Sequence, residues 1–197
     1  MKFDLTVDNW VVQKADARAV RFDVFVIEQK IPVELEWDDM DEHCLHAVAY
    51  DESGHAIGTG RLLPDGHIGR MAVRSAGRGQ GIGAAILQAL MAQAHQRGDR
   101  EVVLNAQTQA EAFYGRHGFI RDGEEYYEAG IAHVCMRQVF QLTLILAGWQ
   151  AGARLQRVQR PDGAWVWQGA PEGVAIRSCN MALPLAFTLT MVEARVP

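Results

Sequence analysis

Hydrophobic and polar residues alternate from Phe3 to Val7, the period of a half-buried strand. Between Gln13 and Glu28 the period changes. Ala17, Val20, Val24 and Ile27 recur three or four positions apart, which predicts an amphipathic helix that cannot continue through Pro32. The acid-rich stretch from Glu34 to Glu42 predicts a short helix and a loop. Leu45 to Tyr50 reads as a strand, Glu52-Ser53-Gly54 as a turn, and His55 to Leu63 as the returning strand. Pro64-Asp65-Gly66 turns the chain again, and His67 to Val73 forms a third antiparallel strand. From about Gly81 the helical period resumes through Ile82, Ala85, Ile86, Ala89 and Leu90, with Gly98 as its stop. A β-rich run at Glu101 to Leu104 follows, then a short helix from Gln109 to His117. A strand begins at Phe119 and Ile120, and a last strand runs from Ile131 to Val139. The order predicts an α/β (α+β) fold: a mixed, mostly antiparallel central sheet with flanking helices.

Past residue 139 the character shifts. Residues 140–161 hold no acid, while Arg154, Arg157 and Arg160 accumulate. Ala153 to Val158 alternates, Arg160-Pro161-Asp162-Gly163 turns, and Trp165-Val166-Trp167 alternates back, which predicts a hairpin. Ala186 to Val192 is a further candidate strand. We therefore expect one domain over residues 1–139 and a strand-rich C-terminal extension over 140–197.

Composition narrows the function classes. The chain has 197 residues, 49% hydrophobic and 22% charged, a globular profile. No apolar run approaches the ~20 residues needed to cross a bilayer. The start, Met1-Lys2-Phe3-Asp4, lacks a signal-peptide core. A cytoplasmic protein with no membrane partner is expected. The net charge of −5 argues against nucleic acid as a partner. Cys44, Cys135 and Cys179 form no C-x-x-C pair and read as free thiols. His43 and His46 are a weak ligand pair, and no metal is expected.

The segment Met71-Ala72-Val73-Arg74-Ser75-Ala76-Gly77-Arg78-Gly79-Gln80-Gly81-Ile82-Gly83 carries chemistry. A strand runs into a glycine-rich turn with one arginine, then into a helix start. Unpaired N–H groups and partial positive charge at such a terminus suit phosphate. A P-loop needs a lysine, and none follows Lys30. A dinucleotide fingerprint fits Gly79 to Ala84 only weakly, because the next strand ends in Leu104-Asn105 rather than an acid. The third option, an R-x-x-G-x-G diphosphate loop for coenzyme A, is matched by Arg78, Gly81 and Gly83 in full. A glycine-rich turn without a ligand is the bland alternative.

A second motif, Phe113-Tyr114-Gly115-Arg116-His117-Gly118-Phe119, follows at a set distance. With both motifs in register, the chain resembles the GCN5-related N-acetyltransferase (GNAT) superfamily. Val24-Phe25-Val26-Ile27-Glu28-Gln29, Pro32, Glu36, Asp38, Asp41 and His46 resemble its ElaA-like branch. So do Gly69 to Val73, Leu104-Asn105-Ala106-Gln107 and Gly130-Ile131-Ala132-His133-Val134, although that branch often has proline at the position of Ala132. The likeness covers about residues 10–138.

The resemblance implies an acetyltransferase with acetyl-CoA as co-substrate. Its diphosphate would lie on Arg78, Gly79, Gln80, Gly81, Ile82 and Gly83. Its pantetheine arm would lie along Met71, Ala72 and Val73, beside Asn105. The implied reaction is direct attack of a primary amine, from a small molecule or peptide, on the thioester. Tyr114 stands where the family places the acid near sulfur, or else merely packs along the pantetheine. Glu36 and His46 are expected as catalytic groups, with Asp41 and His133 also weighed as the base. Glu28, Asp41 and His133 are expected to bind the acceptor. For the acid run a solvated face is the alternative, and for His46 a structural histidine. Two other functions stay open: a non-catalytic acyl-CoA sensor, and an oxidoreductase resting only on the weak fingerprint. A homodimer is allowed for. The acceptor itself is not legible.

Overall fold

The computed structural model describes residues 2–140, together with the backbone of strands at 156–159 and 165–168. The chain divides into two compact units, residues 1–141 and 142–197. In the second unit the described part is a hairpin. Gln156–Gln159 pairs antiparallel with Trp165–Gln168, Gln159 facing Trp165. The expected turn at 160–163, the candidate strand at 186–192 and Cys179 lie outside the described residues.

The first unit opens with β1 (Phe3–Asn9) and α1 (Trp10–Arg21). Asn9 caps the helix by accepting from the Val12 N–H at 3.3 Å. The helix thus starts three residues before the hydrophobic period does. It also changes type. Phe22–Glu28 is π-helical, where a regular helix was expected through Glu28. The wider turn buries both Val24 and Phe25 against the sheet. After a reversal at Lys30 (φ 60°) the chain forms α2 (Val33–Glu36) and a 3₁₀ turn (Asp39–His43).

β2 (Leu45–Asp51), β3 (Ala56–Leu62) and β4 (Ile68–Val73) complete an antiparallel sheet in the order β1-β2-β3-β4. α3 (Ile82–Arg97) crosses it. β5 (Glu101–Gln107), α4 (Glu111–Gly115), β6 (Ile120–Glu128) and β7 (Ile131–Val139) follow, with the strands ordered β5-β7-β6. Helices cover both faces of the first sheet. On one, Trp10, Ala17, Val20, Val24 and Phe25 bury against Val48, Ala56 and Ala72. On the other, Ile82, Ile86, Leu87, Leu90 and Ala94 of α3 meet Ala47, Ala49 and Leu62. Each large apolar side chain buried there contributes roughly 1.5–3 kcal/mol. Two glycines on β3 let α3 come close. A Cβ on Gly58 would lie 2.9 Å from Ile82 and Ile86, and one on Gly60 2.9 Å from Ile86 and 3.1 Å from Leu90.

The two sheets meet at one point among the described residues. His67 forms a parallel bridge with Val103, whose N–H donates to the Gly66 carbonyl at 3.2 Å. Beyond it β4 and β5 separate, and the cause is local. Arg61 pairs with Gly69 and Thr59 with Ala72, so Arg70 and Met71 together oppose Gly60. This is a β-bulge, and Arg70 takes φ 51° within it. A bulge bends its strand, and here it turns β4 away from β5, leaving a V-shaped opening.

Candidate active site

On the β4 wall of the opening part of the backbone is not engaged by β3. The Arg74 N–H donates to Ile57 at 2.9 Å, so Arg74 faces β3. By strand alternation Ala72 faces β3 as well, and the peptide groups of Met71 and Val73 face the opening. The Val73 carbonyl accepts from Arg78 Nε at 2.9 Å. On the opposite wall the Asn105 side chain is exposed while its neighbours Leu104 and Ala106 are buried.

At the end of β4 the chain turns through the glycines. Gly79 (φ 75°) and Gly81 (φ 82°) adopt left-handed conformations that a side chain disfavours, which is why glycine stands there. The N–H groups of Gly79, Gln80, Gly81, Ile82, Gly83 and Ala84 donate to no described group; the first ladder bond of α3 is Ala85 to Gly81, at 3.0 Å. Six donors thus point outward at the positive end of a 16-residue helix. A Cβ on Gly83 would sit 3.7 Å from Phe113 and 3.7 Å from Val73. The end of β4, the start of α3 and α4 therefore converge, joining the two sequence motifs in space.

Tyr114 lies behind this junction. It is 9% exposed, edge-on to Phe113 at 5.0 Å and to Phe119 at 5.9 Å. Its hydroxyl bonds to no described group, and burial pushes its pKa up to about 12.

Arg78 is not free. Its Nη1 and Nη2 donate to the two Glu28 carboxylate oxygens, each at 2.7 Å. Both side chains are near half exposed, and the pairing holds the Glu28 carboxyl below its usual range. Glu28, expected to bind the acceptor, thus lies beside the loop.

The structure gathers Glu36, Asp41 and His46 in a separate buried cluster. Arg21 Nε donates to Glu36 at 2.5 Å and Arg21 Nη1 to Asp41 at 2.8 Å. Arg61 joins Asp41 and Asp38, both at 2.7 Å, and Arg70 reaches Glu36 at 3.3 Å and Asp38 at 3.4 Å. Glu36 and Asp41 are 3% exposed and His46 is 1% exposed. Burial raises the Glu36 carboxyl's pKa, opposed by Arg21 and Arg70. Burial also lowers the pKa of His46, whose Nε2 donates to the Asp41 carbonyl at 2.9 Å while its ring packs 4.6 Å from that of Trp10. The solvated-face alternative therefore holds for the exposed Asp39 and Glu42 and fails for Glu36 and Asp41. The arginine partners escaped sequence reading because Arg21, Arg61 and Arg70 are distant in the chain and share no local pattern.

His133 is half-buried on β7, opposite Gln107. Its Nδ1 donates to the Ile131 carbonyl at 2.8 Å and its ring stacks on Tyr126 at 5.9 Å. The bond consumes one ring nitrogen and leaves Nε2 with its lone pair. Next to it lies a cavity of about 400 Å³ lined by Gln29, Gln107, Thr108, Gln109, Gly130, Ile131 and Ala132. The glutamines were not singled out from sequence, though Gln29 and Gln107 stand in quoted motifs. Among the described residues no three His, Cys, Asp or Glu are placed to hold a metal, and no helix is long and apolar enough to span a membrane.

A splayed pair of strands, a row of unengaged N–H groups and an adjoining aromatic helix thus meet at one opening in the sheet. Residues 14–140 match the family model described as the acetyltransferase (GNAT) domain. The chain belongs to the GNAT acetyltransferase family, and it is an acyltransferase that draws on acyl-CoA. The Bacillus subtilis (strain 168) protein named uncharacterized N-acetyltransferase YjcF is 39% identical over 128 residues, which cover 63% of this chain and 91% of that one. An acyl-CoA N-acyltransferase from Pseudomonas aeruginosa superposes with TM-score 0.63 at 32% identity, covering 70% of this chain and 100% of that one. Escherichia coli ElaA superposes with TM-score 0.62 at 27% identity, covering 70% of this chain and 99% of that one.

Proposed function

We propose that the protein transfers an acetyl group from acetyl-CoA to the primary amine of a small molecule or peptide, by direct attack on the thioester. The observation that carries this is the row of unengaged N–H groups from Gly79 to Ala84, set where β4, α3 and α4 converge. The diphosphate would accept from that row. The outward peptide group of Met71 and the Val73 N–H would pair with the pantetheine amides as an added strand does, while Arg78 holds the Val73 carbonyl. One of those N–H groups would also polarise the thioester carbonyl.

Two proton tasks remain. Burial keeps the Tyr114 phenol protonated at neutral pH, so it is a donor for the departing sulfur. Full transfer would be uphill, because an ordinary thiol has a pKa of about 8.5. Tyr114 therefore acts first as a hydrogen-bond donor to the developing thiolate. Of the four candidate bases, His133 reaches solvent and keeps a free ring nitrogen, while Glu36, Asp41 and His46 are buried and engaged. We assign proton acceptance to His133, and to the other three the task of holding the bulge at Arg70.

Calorimetric titration with acetyl-CoA tests the reading. Wild-type protein should bind, and Gly81→Val should bind at least about tenfold more weakly, about 1.4 kcal/mol, while staying folded. Equal binding by both, or none by the wild type, would remove the loop from the cofactor site.

A further inference from the structure

We infer that the acceptor is an amine whose neighbouring group is a neutral amide, as in an amino-acid amide or a peptide N-terminus, rather than a second cation. The inference rests on the acyl-transfer reading above and concerns the about 400 Å³ cavity beside His133. None of its seven lining residues is ionisable. Its polar side chains form a relay. Gln109 Nε2 donates to Gln107 Oε1 at 2.9 Å, and Gln107 Nε2 donates to Gln29 Oε1 at 2.9 Å. The relay ends in a free amide NH2 at Gln29 and a free amide oxygen at Gln109, and the second N–H groups of Gln107 and Gln109 are also left over. Reversing all three amides exchanges these ends but still leaves a donor end and an acceptor end. A peptide group offers the complementary pair, a carbonyl and an N–H.

The carboxylate that adjoins Gln29 in the chain supports the same conclusion. Glu28 directly precedes Gln29, yet both its oxygens are taken by Arg78. A diamine would bring its distal ammonium to this cavity with no carboxylate among the lining residues to receive it. A cation desolvated without a partner binds poorly, whereas an amide loses little when its water contacts are replaced by the relay's ends. Thr108 supplies a hydroxyl and Gly130, Ile131 and Ala132 supply the remaining wall. The cavity thus selects by hydrogen bonding and shape rather than by charge.

The test compares kcat/KM for glycinamide, 1,4-diaminobutane and glucosamine, reading CoA release from acetyl-CoA with the full chain. Glycinamide should exceed the diamine and the amino sugar by about tenfold or more, the order of discrimination a few unmatched polar contacts give. Gln107→Glu should bring the diamine level with or above glycinamide. Should that variant fold poorly, Gln109→Glu, on an exposed side chain, should move the ratio the same way. Preference for the diamine or the sugar, no turnover of any of the three, or a ratio unmoved by both variants overturns the inference. Titration with acetyl-CoA alone separates the two levels: lost binding removes the acyl-transfer reading, while intact binding with the wrong acceptor order removes this inference only.

Discussion

Two regions of the first unit handle charge and hydrogen bonding in opposite ways. Around Arg21 and Arg61 the carboxylates of Glu36, Asp38 and Asp41 are all paired, and most of these groups are withdrawn from water. In the glycine turn six consecutive N–H groups face outward without partners. In the first arrangement each of these carboxylates already has its arginine partner in the free protein, although Arg61 Nε is buried without a hydrogen bond. On the proposed reading the second would be completed by the diphosphate. Charged residues beside a cleft are easily read as catalytic, yet here they are paired with one another, and the proposed site is marked instead by unengaged backbone. The two regions are joined through Arg70, which carries the bulge in β4 and is tied to Glu36 and Asp38. The network thereby braces the bulge at the edge of the opening.

The sharpest way to break this contrast is to remove a charge from the complete region. Arg21→Met leaves Glu36 and Asp41 short of a partner at 3% exposure. Breaking a buried pair from one side costs about 3–5 kcal/mol. Urea denaturation should show a loss of that size, with acetyl-CoA affinity falling alongside it because the bulge is no longer held. A loss under about 1 kcal/mol, the worth of a surface pair, would mean that the network is solvated and that the division drawn between the regions is false.

The open region should respond the other way, with function changing and stability not. Tyr114→Phe removes a hydroxyl that bonds to no described group, so the folding free energy should move by less than about 1 kcal/mol. Turnover should fall on the order of 10²-fold, the lower end of what general acid help gives, with acetyl-CoA affinity unchanged. Rapid-quench measurement of acetyl transfer against calorimetric binding separates the two. Unchanged turnover would leave Tyr114 as a packing residue along the cofactor.

These outcomes bear on what the sequence could carry. Strand periods placed β2, β3, β4 and β7 closely, and the glycine spacing located the start of α3, because both signals are local. The π-helical turn at Phe22–Glu28 escaped because a π-helix and an α-helix can bury nearly the same apolar residues over seven positions. The bulge at Arg70 escaped because it depends on register with β3, which no run of residues encodes alone. Glu36, Asp41 and His46 were visible as a motif, but their partners Arg21 and Arg61 were not, and the partner decides whether a carboxylate binds substrate or braces a fold. The glutamine relay is of the same kind, since Gln29 and Gln107 are 78 residues apart and meet only after folding.

The smallest effect expected is at the one contact that crosses between charge pairing and the open turn. Arg78 is held by Glu28 in the free protein and also occupies the Val73 carbonyl, so it must exchange partners for a diphosphate to take it. A diphosphate carries more charge than one carboxylate and should win, at the cost of opening an exposed pair. Exposed pairs are worth only about 0.2–1 kcal/mol, so Glu28→Gln should tighten acetyl-CoA binding by no more than a few-fold at low salt. Because Arg78 holds the Glu28 carboxyl below its ordinary pKa, the pair persists above that range and is lost as pH falls through the lowered value. The ratio of variant to wild-type affinity should therefore approach one in acid and stay above one at neutral pH. Weaker binding by Glu28→Gln at neutral pH would show instead that Glu28 orients Arg78 toward the phosphates and never lets it go.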